Sequence, residues 1–210
     1  MPQQKIQQRP LVILGAGPTH AQGIEIARQK HCECWGCNYM TNPELTMLFQ
    51  MHGDSFVKAR FVAHYLEHPP KVPVVAHHAW AEMPTSTPFP MQEHIKYFGF
   101  DRMLRSGQHN ARPYHACSMS YMMALAIMMQ IYDPIHLYGV DFYSELRHES
   151  TYERPSVEFY MGYGLAKGLT IDIPDNSRLM TTSDNHRQIY GLEWNPDLSH
   201  NEMSALSQVA

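Results

Sequence analysis

The chain has 210 residues, 44% of them hydrophobic, and a formal net charge of −4 with its 14 histidines counted as neutral. This composition suits one large domain with a buried core, and the slight acidity excludes a global basic field that attracts nucleic acid or anionic lipid. No stretch approaches the roughly 18 uninterrupted apolar residues of a membrane span, and the polar segment 1–10 does not resemble a secretory signal. Four cysteines are too few for a disulfide scaffold, so we expect a cytoplasmic protein without membrane contact.

The N-terminal half alternates short apolar runs with helical patterns. Thr19 is expected to cap a helix that runs to about Lys30, and Asp54 to cap an amphipathic helix with Phe56 and Leu66 on its buried face. Strands are predicted at residues 10–14, 32–37, 46–51 and 72–76.

The second half continues the alternation. Ser118 opens the strongest helix pattern, MSYMMALAIMMQ, which is apolar nearly all round and therefore predicts a buried helix. Pro155 begins another helical pattern, with Gly168 as its C-cap. A short helix is predicted at 91–98, and strands are predicted at 135–140 and 169–173.

Strands that alternate with helices predict an α/β fold, here a Rossmann-like three-layer sandwich with a mainly parallel sheet of about six strands. We expect this domain to span 1–180, followed by a polar C-terminal tail or arm at 181–210. In such sheets ligands bind outside the carboxyl ends of the strands. The residues expected there are Gly15 to Thr19, Asn38, His52, His77, His78, Asp141 to Tyr143, and Asn176 to Arg178.

Residues 15–19, Gly-Ala-Gly-Pro-Thr, follow the first strand and precede a helix. Glycines let the backbone approach a ligand closely, and a helix N-terminus favours a phosphate. The turn lacks the third glycine of a dinucleotide fingerprint and the Gly-Lys-Ser/Thr of a Walker loop, so an ordinary tight turn is the alternative interpretation.

Ser118 suits a helix N-cap, and the same helix end can also hold a ligand carboxylate or phosphate. Asp141-Phe142-Tyr143 follows a strand and precedes a charged segment. A histidine beside carboxylates can act as a general base and an arginine can clamp a phosphate, whereas the alternative is a solvated charged loop. The charged residues of that segment are His148, Glu149, Glu153 and Arg154, and their spacing does not rank the three candidate bases.

Two further groups of residues have both a functional and a structural interpretation. Cys32, Cys34 and Cys37 follow His31, but strand alternation separates Cys37 from the other two and no second Cys pair is present. We therefore predict core cysteines and no metal site. The basic run at 102–112 could meet a polyanion such as DNA, but a solvated loop is favoured.

Three stretches in this order resemble a known family: LVILGAGPTH at 11–20, CWGCNYM at 34–40, and SMSYMMALAIMMQIYDPIHLYGVDFY at 118–143. They are similar to the Gly-x-Gly-Pro-Ser turn, the Cys-Asn-x-Phe strand end and the helix-strand segment ending Gly-Ile-Asp-Phe-Tyr of single-domain bacterial sialyltransferases. The pattern also resembles 6-hydroxymethylpterin diphosphokinase-like proteins and, through 49–52 and 153–174, small bacteriophage proteins. It covers about 10–180 and is more specific for the fold than for the reaction.

The sialyltransferase resemblance implies a site for a nucleotide-activated sugar as co-substrate, with no cofactor required. A base near His148 would deprotonate an acceptor hydroxyl, and Tyr143 would hydrogen-bond the leaving phosphate, because tyrosines and helix ends can carry that charge without a metal. The catalytic residues implied are His148, Tyr143 and Glu153. The donor-binding residues implied are Gly15, Gly17, Pro18, Thr19, Asn38, Ser118, Asp141 and Arg154.

The chain also departs from that family. Ala16 replaces an Asn, no second tyrosine follows Tyr143 at the family's offset, and the loop to Glu153 is short, which argues against sialic acid as the sugar. We expect a phage-encoded, metal-independent glycosyltransferase whose acceptor is a modified DNA base, a glycan or a small molecule. One alternative is a diphosphate-transferring enzyme that uses ATP and Mg²⁺. Another is a non-catalytic nucleotide-binding, virion or host-takeover protein. Self-association into a homo-oligomer is compatible with each of these three hypotheses.

Overall fold

The computed structural model describes residues 8–102, 113–142, 149–181, 188–189 and 192–193, without the side chains of Ala59 and of residues 149–150, 188–189 and 192–193. The chain divides into two compact units, Met1–Leu179 and Met180–Ala210. The described part of the second unit is an antiparallel strand pair, Gln188–Ile189 with Leu192–Glu193. In the described ranges no helix has the length and apolar character needed to span a bilayer.

Seven parallel strands form the sheet of the first unit, in the order β5-β4-β3-β2-β1-β6-β7. The strands are β1 (Arg9–Leu14), β2 (Glu33–Cys37), β3 (Met47–Gln50), β4 (Val74–Ala76), β5 (Ser86–Pro88), β6 (Tyr132–Tyr138) and β7 (Ile171–Asp172). The chain adds β2 to β5 on one side of β1 and then crosses to place β6 on the other. The switch point of this topology therefore lies between β1 and β6, which is where open α/β sheets bind ligands.

Helices cover the two faces of this sheet. They are α1 (His20–Lys30), α2 (Asp54–Arg60), α3 (Val62–Glu67), α4 (Met91–Tyr97), α5 (Ser118–Met129) and α6 (Arg154–Ala166). Along β1, Leu11 and Ile13 belong to the core cluster that includes α5 and α6, whereas Val12 and Leu14 belong to the cluster that includes α1, α2 and α3. This alternation of one strand between two helical layers confirms the predicted three-layer α/β architecture.

Two elements differ from their predictions. The amphipathic helix expected from Asp54 is two short helices, α2 and α3, separated at Phe61. Phe56 and Leu66, both predicted on the buried face, are 40% and 64% exposed. The break shifts the helical phase at Leu66, whereas Phe56 lies on the first turn of α2, where its ring stacks on His52. Strand β5 is absent from the predicted elements because only Ser86 of its three residues is buried, which leaves no apolar pattern to read.

Of the three predicted N-caps, one lies at its predicted position and the other two lie one residue earlier in the chain. Thr19 occupies the N-cap position of α1, but its side chain makes no capping hydrogen bond. Gly53, not Asp54, is the N-cap of α2, and Cys117, not Ser118, is the N-cap of α5. A cap needs non-helical backbone at that residue, and both Asp54 and Ser118 are already helical.

The backbone at the switch point is packed without room for side chains. The Gly15 N–H donates to the Tyr138 carbonyl at 2.8 Å, and the Gly17 N–H donates to the Gly139 carbonyl at 2.7 Å. A Cβ on Gly15 would collide with the Gly139 carbonyl, and one on Gly139, where φ is 68°, would collide with the Gly15 carbonyl. These two positions therefore require glycine.

This packing predicts opposite effects for two Gly→Ala substitutions. Gly15→Ala should lower the free energy of unfolding by about 3 kcal/mol, because the new methyl group meets backbone that has no room to move. Gly162→Ala, on the exposed side of α6 where an added Cβ meets nothing within 4 Å, should raise it by about 0.5–1 kcal/mol. Urea unfolding of both variants measures the difference, and equal effects would contradict the close approach of β1 and β6.

Candidate functional site

A cleft of about 670 Å³ opens at the carboxyl ends of the strands, over the switch point between β1 and β6. Of the residues predicted for a site, those that line the cleft are Gly15, Gly17, Pro18, Asn38, Ser118, Asp141 and Glu153. The structure thus brings together seven of the eleven named residues from five separate stretches of sequence. Tyr143 and His148 lie outside the described residues. The remaining two, Thr19 and Arg154, are not among the residues that line the cleft, and their hydrogen bonds are described below.

Two helix N-termini meet at this cleft. The Gly15–Pro18 turn leads into α1, and Cys117 and Ser118 begin α5 on the opposite wall. Neither helix has an acidic residue in its first turn. At α1 the Asp141 carboxylate already accepts the Thr19 N–H at 2.9 Å, so the positive end of the α5 dipole is the one that acts on this space, and it favours an anionic ligand such as a phosphate.

Thr19 and Asp141 join the two loops that form the base of the cleft. Both are buried, and the Thr19 hydroxyl lies 2.7 and 2.9 Å from the two carboxylate oxygens of Asp141. The Thr19 N–H donates to Asp141 Oδ2 at 2.9 Å, and the Thr19 hydroxyl accepts the Gly139 N–H. We call this arrangement the Thr19–Asp141 brace. It explains why Thr19 does not cap α1, since its hydroxyl is bonded across the sheet.

The brace predicts how two substitutions at Thr19 differ. Thr19→Val keeps the shape but leaves a buried carboxylate and the Gly139 N–H without their partner, so the free energy of unfolding should fall by about 1–3 kcal/mol. Thr19→Ser keeps the hydroxyl and should cost less than half as much. Urea denaturation of the two variants tests this, and a Thr19→Val protein as stable as the Thr19→Ser protein would refute the brace.

Asn38 ends β2 and has an unsatisfied side chain. Its backbone has φ of 59°, its N–H donates to the Phe49 carbonyl at 3.0 Å, and its own carbonyl accepts the Tyr65 hydroxyl at 2.8 Å. Its side-chain Oδ1 is buried and has no hydrogen-bond partner. A buried acceptor without a partner costs free energy, so the position suits one that a ligand completes.

Glu153 is the second carboxylate among the described residues of the cleft, and it precedes α6. Asp141 is bonded to Thr19, and Glu153 is the lining carboxylate that the sequence predicted as a catalytic residue. Arg154 is not among the lining residues described, and its Nε donates to Glu158 at 2.7 Å across the first turn of α6. The structure therefore places the predicted acid-base residue in the cleft but not the predicted phosphate clamp.

The cysteines are thiols of the core. Cys34 is buried on the α1 side of the sheet and Cys37 on the α5 side, as strand alternation predicted. Burial raises the pKa of both thiols to about 12, so neither is a thiolate at neutral pH. All four cysteines are free, and the described residues contain no group of three or more His, Cys, Asp or Glu side chains that could hold a metal ion.

A histidine network that the sequence did not reveal forms one wall of the cleft. The His115 ring lies between Tyr121, with centroids 3.7 Å apart, and Tyr160, at 5.0 Å. Ser120 donates its hydroxyl proton to the Cys117 carbonyl, so His115 Nδ1–H donates to Ser120 Oγ at 3.0 Å. His115 Nε2 is then the acceptor in a triangle with His94 Nε2, at 3.1 Å, and the Tyr160 hydroxyl, at 3.3 Å, and these two neighbours lie 3.0 Å from each other.

Both rings of this network are neutral at pH 7. Burial lowers the pKa of His94 to about 4, and burial followed by the neighbouring His94 and His77 lowers the pKa of His115 to about 2. His115 is in an irregular segment between predicted elements, and its partner His94 comes from a different helix. No local pattern in the sequence indicates that His94 and His115, from separate segments, contact each other.

The lowered pKa values predict acid destabilisation. A histidine whose folded pKa lies below the ordinary value of 6.5 binds fewer protons in the folded state, so its contribution to stability is present above pH 6.5 and is lost as the pH falls toward 4. Thermal unfolding between pH 4 and 7 should show the melting temperature falling below pH 6.5. His94→Phe removes one buried titrating group and should flatten that fall. An unchanged profile in His94→Phe would contradict the burial of a neutral imidazole.

Comparisons of the chain with protein-family models, with curated proteins and with solved structures found no match. The geometry of the cleft therefore carries the functional argument.

Proposed function

We propose that the chain is a glycosyltransferase-like protein that binds a nucleotide-activated sugar in the strand-end cleft and transfers the sugar without a metal ion. The observation that carries the proposal is the meeting of the α5 N-terminus and the Gly15–Pro18 turn in one cleft, with Glu153 on the same cleft. A phosphate of the donor would lie against the backbone of the turn, and the volume of about 670 Å³ suits a nucleotide-sized ligand.

In this proposal Glu153 accepts the proton of the acceptor hydroxyl. The acceptor oxygen forms a bond to the anomeric carbon as the bond from that carbon to the phosphate oxygen breaks, and the electron pair leaves with the nucleotide phosphate. The N-terminus of α5 stabilises the charge that develops on this phosphate. Tyr143 and His148, predicted for the leaving group and the base, follow Asp141 in the chain and stay predictions.

A transfer that depends on Mg²⁺ and ATP is less well supported by the cleft. Such a reaction needs carboxylates free to bind the ion beside the phosphates. Asp141 accepts from Thr19 at both oxygens, and Glu153 is the other carboxylate of the described lining, so the cleft does not show the cluster of carboxylates that such an ion needs. The proposal includes a bacteriophage origin and a cytoplasmic location, where free thiols persist. The acceptor is a hydroxyl-bearing molecule of a class that the cleft does not specify.

Calorimetric titration with CMP, UDP, GDP, ADP and ATP, each with and without Mg²⁺, tests the site. We expect at least one pyrimidine nucleotide to bind equally well in both conditions. Binding of ATP alone, and only with Mg²⁺, would favour diphosphate transfer instead. Binding of none of the five would refute a donor site in this cleft.

A substitution at Glu153 tests the chemistry separately from binding. Glu153→Gln should leave the Kd of the nucleotide within about twofold and lower transfer or hydrolysis of the matching nucleotide-sugar by about 100-fold or more, because the amide cannot accept the proton. Glu93→Gln, an exposed position on α4, is the matched control and should retain full turnover. If Glu153→Gln is fully active, Glu153 is not the base.

A further inference from the structure

One end of the cleft, at the carboxyl ends of β2 and β3, is formed by Asn38 and His52. The His52 ring stacks on Phe56, with centroids 4.6 Å apart and an interplanar angle of 21°, and on Phe61, at 5.3 Å and 26°. Phe61 in turn stacks on Tyr39 at 4.2 Å. These contacts hold the plane of the imidazole, so the direction of its nitrogens is set by packing.

A chain of three hydrogen bonds determines which nitrogen of His52 carries the proton. The Tyr65 hydroxyl uses its single proton to donate to the Asn38 carbonyl at 2.8 Å. It therefore accepts from Gln50 Nε2 at 3.1 Å, which turns Gln50 Oε1 toward His52. Gln50 Oε1 is an acceptor only, so His52 Nδ1–H donates to it at 2.8 Å. The His52 N–H approaches the same oxygen at 3.3 Å.

His52, which lines the cleft, therefore has one ring nitrogen that can accept a hydrogen bond and has no partner among the described residues. With Nδ1 protonated, Nε2 of a neutral imidazole is a lone pair. Burial, and then the neighbouring His77, lower the pKa of His52, which keeps the ring neutral at pH 7. No described residue makes a hydrogen bond to Nε2.

Asn38 supplies a second acceptor at the same end of the cleft. Its Oδ1 is buried and unpartnered, while its backbone is held by Phe49 and by Tyr65 of the same hydrogen-bond chain. A ligand group with hydrogen-bond donors would satisfy both acceptors, whereas a ligand group that presents lone pairs would be repelled by them.

We propose that the β2–β3 end of the cleft selects a ligand edge that presents hydrogen-bond donors, with His52 Nε2 as the specificity-determining acceptor. This inference rests on the proposed function, since it concerns the ligand of the same cleft. The donor group is either the exocyclic amine of a nucleobase or the hydroxyls of the transferred sugar. Gln50 and Tyr65 act as positioning residues, because they reach the ligand only through His52 and Asn38.

The test compares probes that differ in one group. CMP and UMP differ by an amine against a carbonyl on the base, and UDP-glucose and UDP differ by the sugar. His52→Phe keeps a ring for the stack on Phe56 and Phe61 but removes the acceptor. If a base amine occupies this end, His52→Phe weakens binding of CMP about tenfold and leaves UMP unchanged. If the sugar occupies it, His52→Phe weakens UDP-glucose about tenfold and leaves UDP unchanged.

His64→Phe is the matched control, because His64 contacts the same aromatic group through Tyr39 and Tyr65 but does not line this cleft. It should bind all four probes as the parent protein does. If His52→Phe binds all four as the parent does, or weakens all four equally, the inference is overturned while the nucleotide site stands. If the parent protein binds none of these four probes and none of GDP, ADP and ATP, both the inference and the proposed function fail; if it binds a purine nucleotide alone, the inference is overturned and the nucleotide site stands.

A measurement on the free protein tests the hydrogen-bond chain directly. Long-range ¹⁵N–¹H correlation spectra should show His52 as the Nδ1–H tautomer at pH 7. In Tyr65→Phe the group that orients Gln50 is gone, so signals of both tautomers should appear. A His52 ring that is Nε2–H in the parent protein would overturn the assignment whatever the binding data show.

Discussion

The Thr19–Asp141 brace is the interaction on which the rest of the site depends. A buried carboxylate is costly unless its oxygens are hydrogen-bonded, and here the hydroxyl and N–H of one threonine bond to it. These bonds connect the turn after β1 to the loop after β6, the two strands on either side of the switch point. The close approach of Gly15 and Gly139 is possible only with this connection in place. The brace thus fixes the base of the cleft before any ligand arrives.

The electrostatics of the cleft follow from the backbone more than from side chains. The described residues that line it include no lysine or arginine, and the two lining histidines whose pKa values are lowered, His52 and His115, are neutral at pH 7. An anion is therefore attracted by the N-terminus of α5, whose field acts over about one turn and opposes the charge of the lining carboxylates Asp141 and Glu153. Such a site discriminates by shape and by hydrogen-bond direction. The fixed acceptor on His52 is consistent with this kind of selection.

Hydrogen-bond chains at opposite sides of the cleft fix their histidines by the same logic. In each, a hydroxyl donates its single proton to a backbone carbonyl: Tyr65 donates to Asn38, and Ser120 donates to Cys117. The hydroxyl oxygen must then accept, and the tautomer of the next histidine follows. The outcomes differ, however. Both ring nitrogens of His115 have hydrogen-bond partners within the protein. His52 has a partner at Nδ1, and its Nε2 has none among the described residues.

The sequence by itself determined the α/β class, the buried strands and the apolar helix α5, because periodicity and Gly or Pro breaks report local structure directly. It also placed Gly15, Asn38, His52 and Asp141 at one edge, since parallel strands end on the same side of a sheet. Only the tertiary structure decided which polar groups pair. Thr19 bonds to Asp141 across more than a hundred residues, and His94 reaches His115 from another helix. Such pairings leave no periodic signal, because they depend on how separate elements pack and not on the local pattern of either one.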